Sequence, residues 1–433
     1  MTYTRPLSTI ERYYVSCDSY KNGQLHTPCV NQMVVEGIGT IDEEELRKAV
    51  VRASYVNPGS RVKLVGHLGF SRWVDSDNST PLRIVHSHWD GRSNDDAEFL
   101  LKPLPPRSGP TSEVVLVHAD NKHFIIIRSH HGAMDGRGTL HFANDVFRCL
   151  RGEDPIGENS SINDMQLALS LNDHAKADSL GRDVAAATGS AKPQSTQNLE
   201  QPSRWIRKTL LGKHKSLLAK VALEIARYAR LNDEDNVRFQ IPVDMRPHEE
   251  NLNSTANLTG GIVVKVNLNS TAESWNSDIQ QQLAEKRETE IPRFFKIFPF
   301  HLLNWVPTAT IRNSNNKLVK KRQTNSLFRT TGVISNLGLL KVEQFSGAGF
   351  IANKSYFIPP EFETTALFVT LAGHKEGVEI IMRAPQQLDG GRVEDMMNFV
   401  IENIEQSISH KIEIPPLQII KKTTEAEEEK IMA

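Results

Sequence analysis

The chain has 433 residues, 39% hydrophobic and 24% charged, an ordinary globular composition in a length too great for one typical core, so two domains or two large lobes are expected. Its 51 basic and 52 acidic residues leave a net charge of -1, which excludes a bulk field for nucleic acid or an anionic membrane and leaves only local patches for such partners. Three widely spaced cysteines, Cys17, Cys29 and Cys149, with no CxxC or zinc spacing, exclude a disulfide framework and predict reduced thiols in a cytoplasmic protein.

Residues 1–14 carry Arg5, Glu11 and Arg12 and lack the apolar region of a signal peptide, and no apolar stretch approaches a membrane span. Residues 42–53 predict a helix. Leu46, Ala49, Val50 and Ala53 share one face, and Glu43, Glu44 and Glu45 suit the positive end of its dipole. Runs rich in β-branched residues at 114–118 and 123–128, separated by Asp120-Asn121, predict a hairpin. A second helix is expected over 139–150, with Leu140, Ala143, Val146, Phe147 and Leu150 on one side and Gly152 as its stop.

The stretch 172–203 is rich in Ala, Asp, Ser, Gln and Gly and reads as a linker. It divides a first lobe, 1–180, from a second, 204–420, with the linker proper at 181–203 and a charged tail at 421–433. The second lobe opens on a basic stretch, 205–231, read as helical. Strands are expected over 237–243, 262–268, 332–335, 366–371 and 378–383. An amphipathic helix over 393–408 carries Val393, Met396, Met397, Val400, Ile404 and Ile408 in register.

The chemistry concentrates at His130-His131-Gly132-Ala133-Met134-Asp135-Gly136, directly after the apolar run 124–127. A buried strand would hold its end residues rigidly, so both histidines fall at a strand-to-loop junction where a side chain can reach a cleft. Gly132 and Gly136 permit tight turns and close approach of a substrate. An imidazole titrates near pH ~6.5 and can take a proton from a nucleophile at neutral pH. A structural histidine is the plain alternative. His130, His131 and Asp135 are also of the type that could hold zinc or iron, but adjacent histidines point apart and no metal is expected here.

His-His-x-x-x-Asp-Gly, complete at 130–136, resembles the signature of the CoA-dependent acyltransferase superfamily, which includes chloramphenicol acetyltransferase-like enzymes, plant BAHD acyltransferases and condensation domains of nonribosomal peptide synthetases. Pro6, Leu7, Ser8, Glu11 and Arg12 resemble the family's opening segment. Pro242-Val243-Asp244-Met245-Arg246-Pro247, followed by Asn257-Leu258-Thr259-Gly260, resembles the arginine and Asn/Gly turn of the BAHD pattern, and Ser335-Asn336-Leu337-Gly338 resembles a segment at the lobe interface. No Asp-Phe-Gly-Trp-Gly segment occurs, which argues against a BAHD enzyme proper, and no adenylation or carrier-protein sequence is expected within these 433 residues.

The resemblance implies an α/β fold of two chloramphenicol acetyltransferase-like lobes, with mixed or antiparallel sheets flanked by helices and an active-site tunnel between them. It implies His131 as general base and His130 as a structural or tunnel-shaping residue. Asp135 would hold the loop with Arg246 as its partner, and Gly136 would leave room for substrate. Ser335 or Asn336 would face the tunnel and bind the oxyanion. The implied function is acyl transfer from acyl-CoA, or from an acyl or peptidyl carrier protein bearing a phosphopantetheine thioester, to an alcohol or amine. The expected setting is secondary metabolism, in a monomer without a tightly bound cofactor. The alternative is a non-catalytic condensation-like module that binds a carrier protein or ligand. The basic run Lys317, Lys320, Lys321 and Arg322 reads as a solvated loop or as a dock for CoA phosphates or an acidic carrier; Arg204, Arg207, Lys208, Lys213 and Lys215 offer a second such dock. The aromatic crowd at 294–305 reads as core or as pocket lining.

Overall fold

The computed structural model describes residues 3–21, 24–27, 29–171, 182–188, 203–231, 236–291, 300–362, 364–389 and 391–409, and its architecture is two mixed sheets flanked by helices. The first sheet has five strands in the order Phe350–Ile358, Val30–Gly39, His123–His130, Ser112–His118 and Leu82–His86. All its neighbours are antiparallel except the last pair. The second has six, in the order Ser203–Leu211, Gly377–Pro385, Phe368–Gly373, Gly332–Leu339, Val237–Asp244 and Thr259–Val266. Most of the expected linker 181–203, the tail 421–433 and the apolar residues Phe294, Phe295, Ile297 and Phe298 lie outside the described residues, as does the Ile408 side chain.

The hairpin at 112–130 forms because its two strands are continuous apolar runs covered on both faces. Val114 to Val117 and Phe124 to Ile127 are all fully buried, and the register runs from Ser112 opposite Ser129 to His118 opposite His123. The helix Glu43–Val56 is capped by Asp42, whose carboxylate accepts from the Glu44 and Glu45 amides at 2.9 and 3.0 Å, and it turns Leu46, Ala49, Val50 and Ala53 into the core. It packs against the helix Gly136–Leu150, whose N-cap is Asp135 of the histidine motif. In the second lobe, Arg392–Ser409 buries Val393, Met396, Met397, Val400 and Ile404 against the helix Leu217–Leu231.

Two expectations need correction. The basic stretch 205–231 is not helical throughout: Ser203–Leu211 is a strand that pairs along its whole length with Gly377–Pro385, and the helix begins only at Leu217. Long straight-chain residues give 204–211 a helical look, but the ladder satisfies its backbone, and Gly212, at φ +89°, breaks the chain before the helix. The run Lys317 to Arg322 sits on a helix, Thr308–Asn325, rather than on a loop.

A further feature crosses the sequence order. The strand Phe350–Ile358 comes from the C-terminal half, yet it completes the edge of the first sheet beside Val30–Gly39. Its Phe357 carbonyl accepts from Thr370 Oγ1 at 2.6 Å, so the same strand is tied to the second sheet. This exchange clamps one sheet to the other next to the histidine motif.

Candidate active site

His131 follows the last residue of the strand His123–His130. Its amide donates to the Cys29 carbonyl at 2.7 Å, which continues the pairing with the neighbouring strand and fixes where the side chain leaves the sheet. The ring is stacked on Tyr14, with centroids 4.2 Å apart and planes at 11°, and Phe362 packs at 5.5 Å. Asn257, from the other sheet's lobe, donates its amide to the His131 carbonyl at 2.8 Å and lies 3.4 Å from Nδ1.

Two cavities meet at this ring. One, of about 700 Å³, is lined by Gly136, Arg137, Asp244, Ser335 and Asn336. The other, of about 1130 Å³, is lined by Tyr13, Tyr14, Leu318, Arg322 and Phe362. His131, Pro242, Thr259 and Phe368 stand in both walls. The imidazole is only 8% exposed, but space reaches it from both sides. Burial pushes its pKa down to about 4, against the opposing charge of Asp135 and hydrogen bonds from the ring to the carbonyls of His131 and Met134. The ring is therefore neutral, and able to accept a proton, at pH 7.

His130 points the other way and reaches neither cavity. The Gly132 amide donates to its Nδ1 at 3.0 Å, so Nε2 carries the hydrogen and donates to Asp18 at 3.1 Å. Asp18 also accepts from the Cys29 amide at 3.1 Å. His130 thus braces the loop from inside. Among the described residues no group of three or more His, Cys, Asp or Glu side chains is arranged to hold a metal ion.

Asp135 is fully buried and receives hydrogen bonds from two parts of the chain. Oδ1 accepts from the Gly138 amide at 2.6 Å and caps the helix. Oδ2 accepts from the Leu258 amide at 2.7 Å and from Thr259 Oγ1 at 2.9 Å. Arg246 bridges both oxygens at 3.1 Å and also holds Asp244 at 2.8 Å and the Ser254 carbonyl at 3.0 Å. Burial alone would raise the carboxyl; Arg246 and the amide donors override it and hold it below the ordinary carboxylate range. The close approach here is steric as well: a Cβ on Gly138 would lie 2.1 Å from the Thr255 carbonyl oxygen. Gly136 differs. A Cβ there would meet Leu337 and Phe357 only at ordinary contact, 3.8 and 3.9 Å, so packing does not require this glycine and the space beside it belongs to the first cavity.

Ser335 and Asn336 both line that cavity, and Asn336 Oδ1 accepts from the Gly338 amide at 3.0 Å. The opening segment supports the motif from beneath. Arg5 is paired with Glu11 at 2.8 Å, both fully buried, and donates to the Ala133 carbonyl at 2.9 Å. Sequence reasoning missed Tyr14, Asp18 and the contact of Asn257 with His131. The adjacent tyrosines of the helix Thr9–Ser16 were the only local signal for the first, and nothing local marked Asp18. Of the second basic group, Arg207 is buried against Glu36 and Glu379, and Arg204 pairs with Glu394, so these two are already engaged.

No protein-family model and no curated protein matches the sequence. Solved structures do. The first condensation domain of the calcium-dependent antibiotic synthetase, in complex with a substrate analogue, is similar over 97% of this chain and 98% of its own, at 12% identity and a TM-score of 0.65. The starter condensation domain of rhizomide synthetase RzmA, in complex with C8-CoA and Leu-SNAC, is similar over 97% of each chain at 14% identity and a TM-score of 0.62. The condensation domain of the Monacolin K polyketide synthase MokA is similar over 96% of this chain and 99% of its own, at 11% identity and a TM-score of 0.58. The chain therefore has the two-lobed condensation-domain fold. No helix among the described residues is long and apolar enough to cross a membrane.

Proposed function

We propose that this chain is an acyltransferase that moves an acyl group from a thioester to a hydroxyl or amine, with His131 as general base. The observation that carries the reading is a neutral imidazole at the meeting point of two cavities. With the ring's hydrogen bond to the His131 carbonyl assigned to Nδ1–H, Nε2 is left unprotonated and is the nitrogen offered to the acceptor. Nε2 takes the acceptor's proton as its oxygen or nitrogen attacks the thioester carbonyl. The tetrahedral intermediate carries its charge on the former carbonyl oxygen, where the Ser335 hydroxyl or the Asn336 amide donates a hydrogen bond. Collapse breaks the carbon–sulfur bond, and the departing thiolate recovers the proton from His131. Asp135 stays ionised and offsets the positive charge on the ring during attack. His130, Asp135, Gly136 and Arg246 support the site without touching the reacting atoms.

The donor is acyl-CoA or a phosphopantetheine thioester on a carrier protein, and the acceptor is a small alcohol or amine. Neighbouring structures of a synthetase's starter condensation domain, in complex with C8-CoA, support a secondary-metabolite setting. One chain supplies both cavity walls, which supports a working monomer. The direct test supplies purified protein with panels of acyl-CoAs, acyl carrier proteins, alcohols and amines, and reads released thiol and product mass. Enzyme-dependent ester or amide from at least one pair is the expected result; thiol release that requires no acceptor would replace this reading with simple hydrolysis.

The pH profile is a second check. With the ring's pKa at about 4, its base form is already the main form well below pH 6. With a neutral N-acetylcysteamine thioester and an alcohol acceptor, kcat/KM should be flat from about pH 5.5 upward and fall only toward pH ~4. A limb centred near pH ~6.5 that persists in His131→Ala would mean that His131 is not the titrating base.

A further inference from the structure

We infer that the helix Thr308–Asn325 forms the entrance for the phosphates of free acyl-CoA, so that the thioester enters through the larger cavity and the acceptor through the smaller; this rests on the acyl-transfer reading above. The helix contains no aspartate or glutamate, but it carries Arg312, Lys317, Lys320, Lys321 and Arg322. Lys317, Lys320 and Lys321 are exposed and, at i, i+3 and i+4, share one side of the helix. Among the described residues none of these three has an ion-pair partner, in a chain whose surface cations are often paired. Leu318 and Arg322, on the adjoining side, form part of the wall of the 1130 Å³ cavity that ends at His131. Arg322 donates to the Thr364 carbonyl at 3.2 Å, while its buried Nε has no hydrogen-bond partner.

The other entrance is electrically different. The wall of the smaller cavity carries Arg137 and Asp244, one charge of each sign, and Asp244 is engaged by Arg246 at 2.8 Å. A polyanionic substrate thus meets a concentrated positive field on one side only, and a neutral alcohol or a small amine meets no such field on the other. Free CoA fits the positive side better than a carrier protein does. The three lysines lie within about 6 Å along the helix axis, at a rise of about 1.5 Å per residue. Such a cluster matches the pyrophosphate and 3′-phosphate of CoA, which gather several negative charges in a small volume. A carrier protein offers a single phosphodiester and a broader acidic surface.

The test is calorimetric binding of CoA and of pantetheine, which lacks the phosphates, to the wild-type protein and to Lys317→Ala/Lys320→Ala/Lys321→Ala. All three side chains are exposed, and a thermal melt confirms that the variant is folded. The expected result is that the CoA-to-pantetheine affinity ratio falls about tenfold in the triple variant, from the loss of three solvent-exposed ion pairs. The dependence of CoA binding on salt should weaken with it. Lys213→Ala/Lys215→Ala, on the turn after the strand Ser203–Leu211, should bind CoA as the wild type does. An unchanged ratio in the triple variant overturns the inference. So does a wild-type protein that binds an acyl carrier protein but not CoA. Neither outcome touches the role of His131, which stands or falls on turnover with a phosphate-free thioester.

Discussion

Turnover by a His131→Ala protein is expected to fall about 10²–10⁴-fold, with the melting curve still cooperative and the thioester still bound. The size of the loss is that of a positioned general base, because a thioester is already activated and the remaining oxyanion donors and the two binding cavities keep some rate enhancement. Folding should survive because the ring borders existing space on two sides, so its removal enlarges a cavity that water already reaches instead of opening a sealed void. The lost stack on Tyr14 costs about 0.5–1.5 kcal/mol, small beside the kinetic effect. The measurement is single-turnover acyl transfer together with equilibrium binding. A variant that transfers as fast as the wild type would assign the base elsewhere. A wild-type protein that binds thioesters or carriers but transfers nothing would leave the non-catalytic module as the correct reading.

What was legible in the sequence follows from the range of the interactions involved. The helices Glu43–Val56 and Arg392–Ser409 and the hairpin at 112–130 are set by periodic apolar residues, and period is a local property that a single sequence displays. The motif loop was legible for the same reason, since strand, histidines, aspartate cap and helix are contiguous. The strand Ser203–Leu211 was not, because its partner lies about 170 residues away and only the ladder outweighs its helical side chains. The exchange strand Phe350–Ile358 was hidden likewise, since nothing near it says that it pairs with Val30–Gly39. In the site, Asp18 meets His130 across 112 residues and Asn257 meets His131 across 126. The family pattern supplied Asp135 and Arg246 together, while the bracing by Asp18 and the stacking by Tyr14 lie outside the motif and needed the folded chain.

Asp135→Asn should be the most destabilising conservative change at the site, at about 3 kcal/mol or more in urea unfolding. Five donor groups converge on this one carboxylate: two backbone amides, the Thr259 hydroxyl and the two terminal Arg246 nitrogens, Nη1 and Nη2. An amide of the same shape must turn its own NH₂ toward some of them, and it leaves the buried Arg246 guanidinium with only Asp244 as a charged partner. The loss should sit at the lower end of the range for a broken buried pair because that second carboxylate remains. Arg246→Ala should cost less, since Asp135 keeps its three uncharged donors. The pH dependence has a definite sign. Asp135 has a folded-state pKa below its unfolded value, so its stabilisation is fully present above about pH 4 and is lost as the pH falls through the lower folded value. The stability gap between wild type and Asp135→Asn should therefore be constant from neutral pH down to about pH 5 and close under stronger acid. Turnover should fall as well, through displacement of the loop that carries His131, and N-acetylcysteamine thioesters should suffer as much as acyl-CoA. A variant within about 0.5 kcal/mol of wild type, with a gap that ignores pH, would mean that the two lobes are held at the motif by packing and the exchanged strand alone.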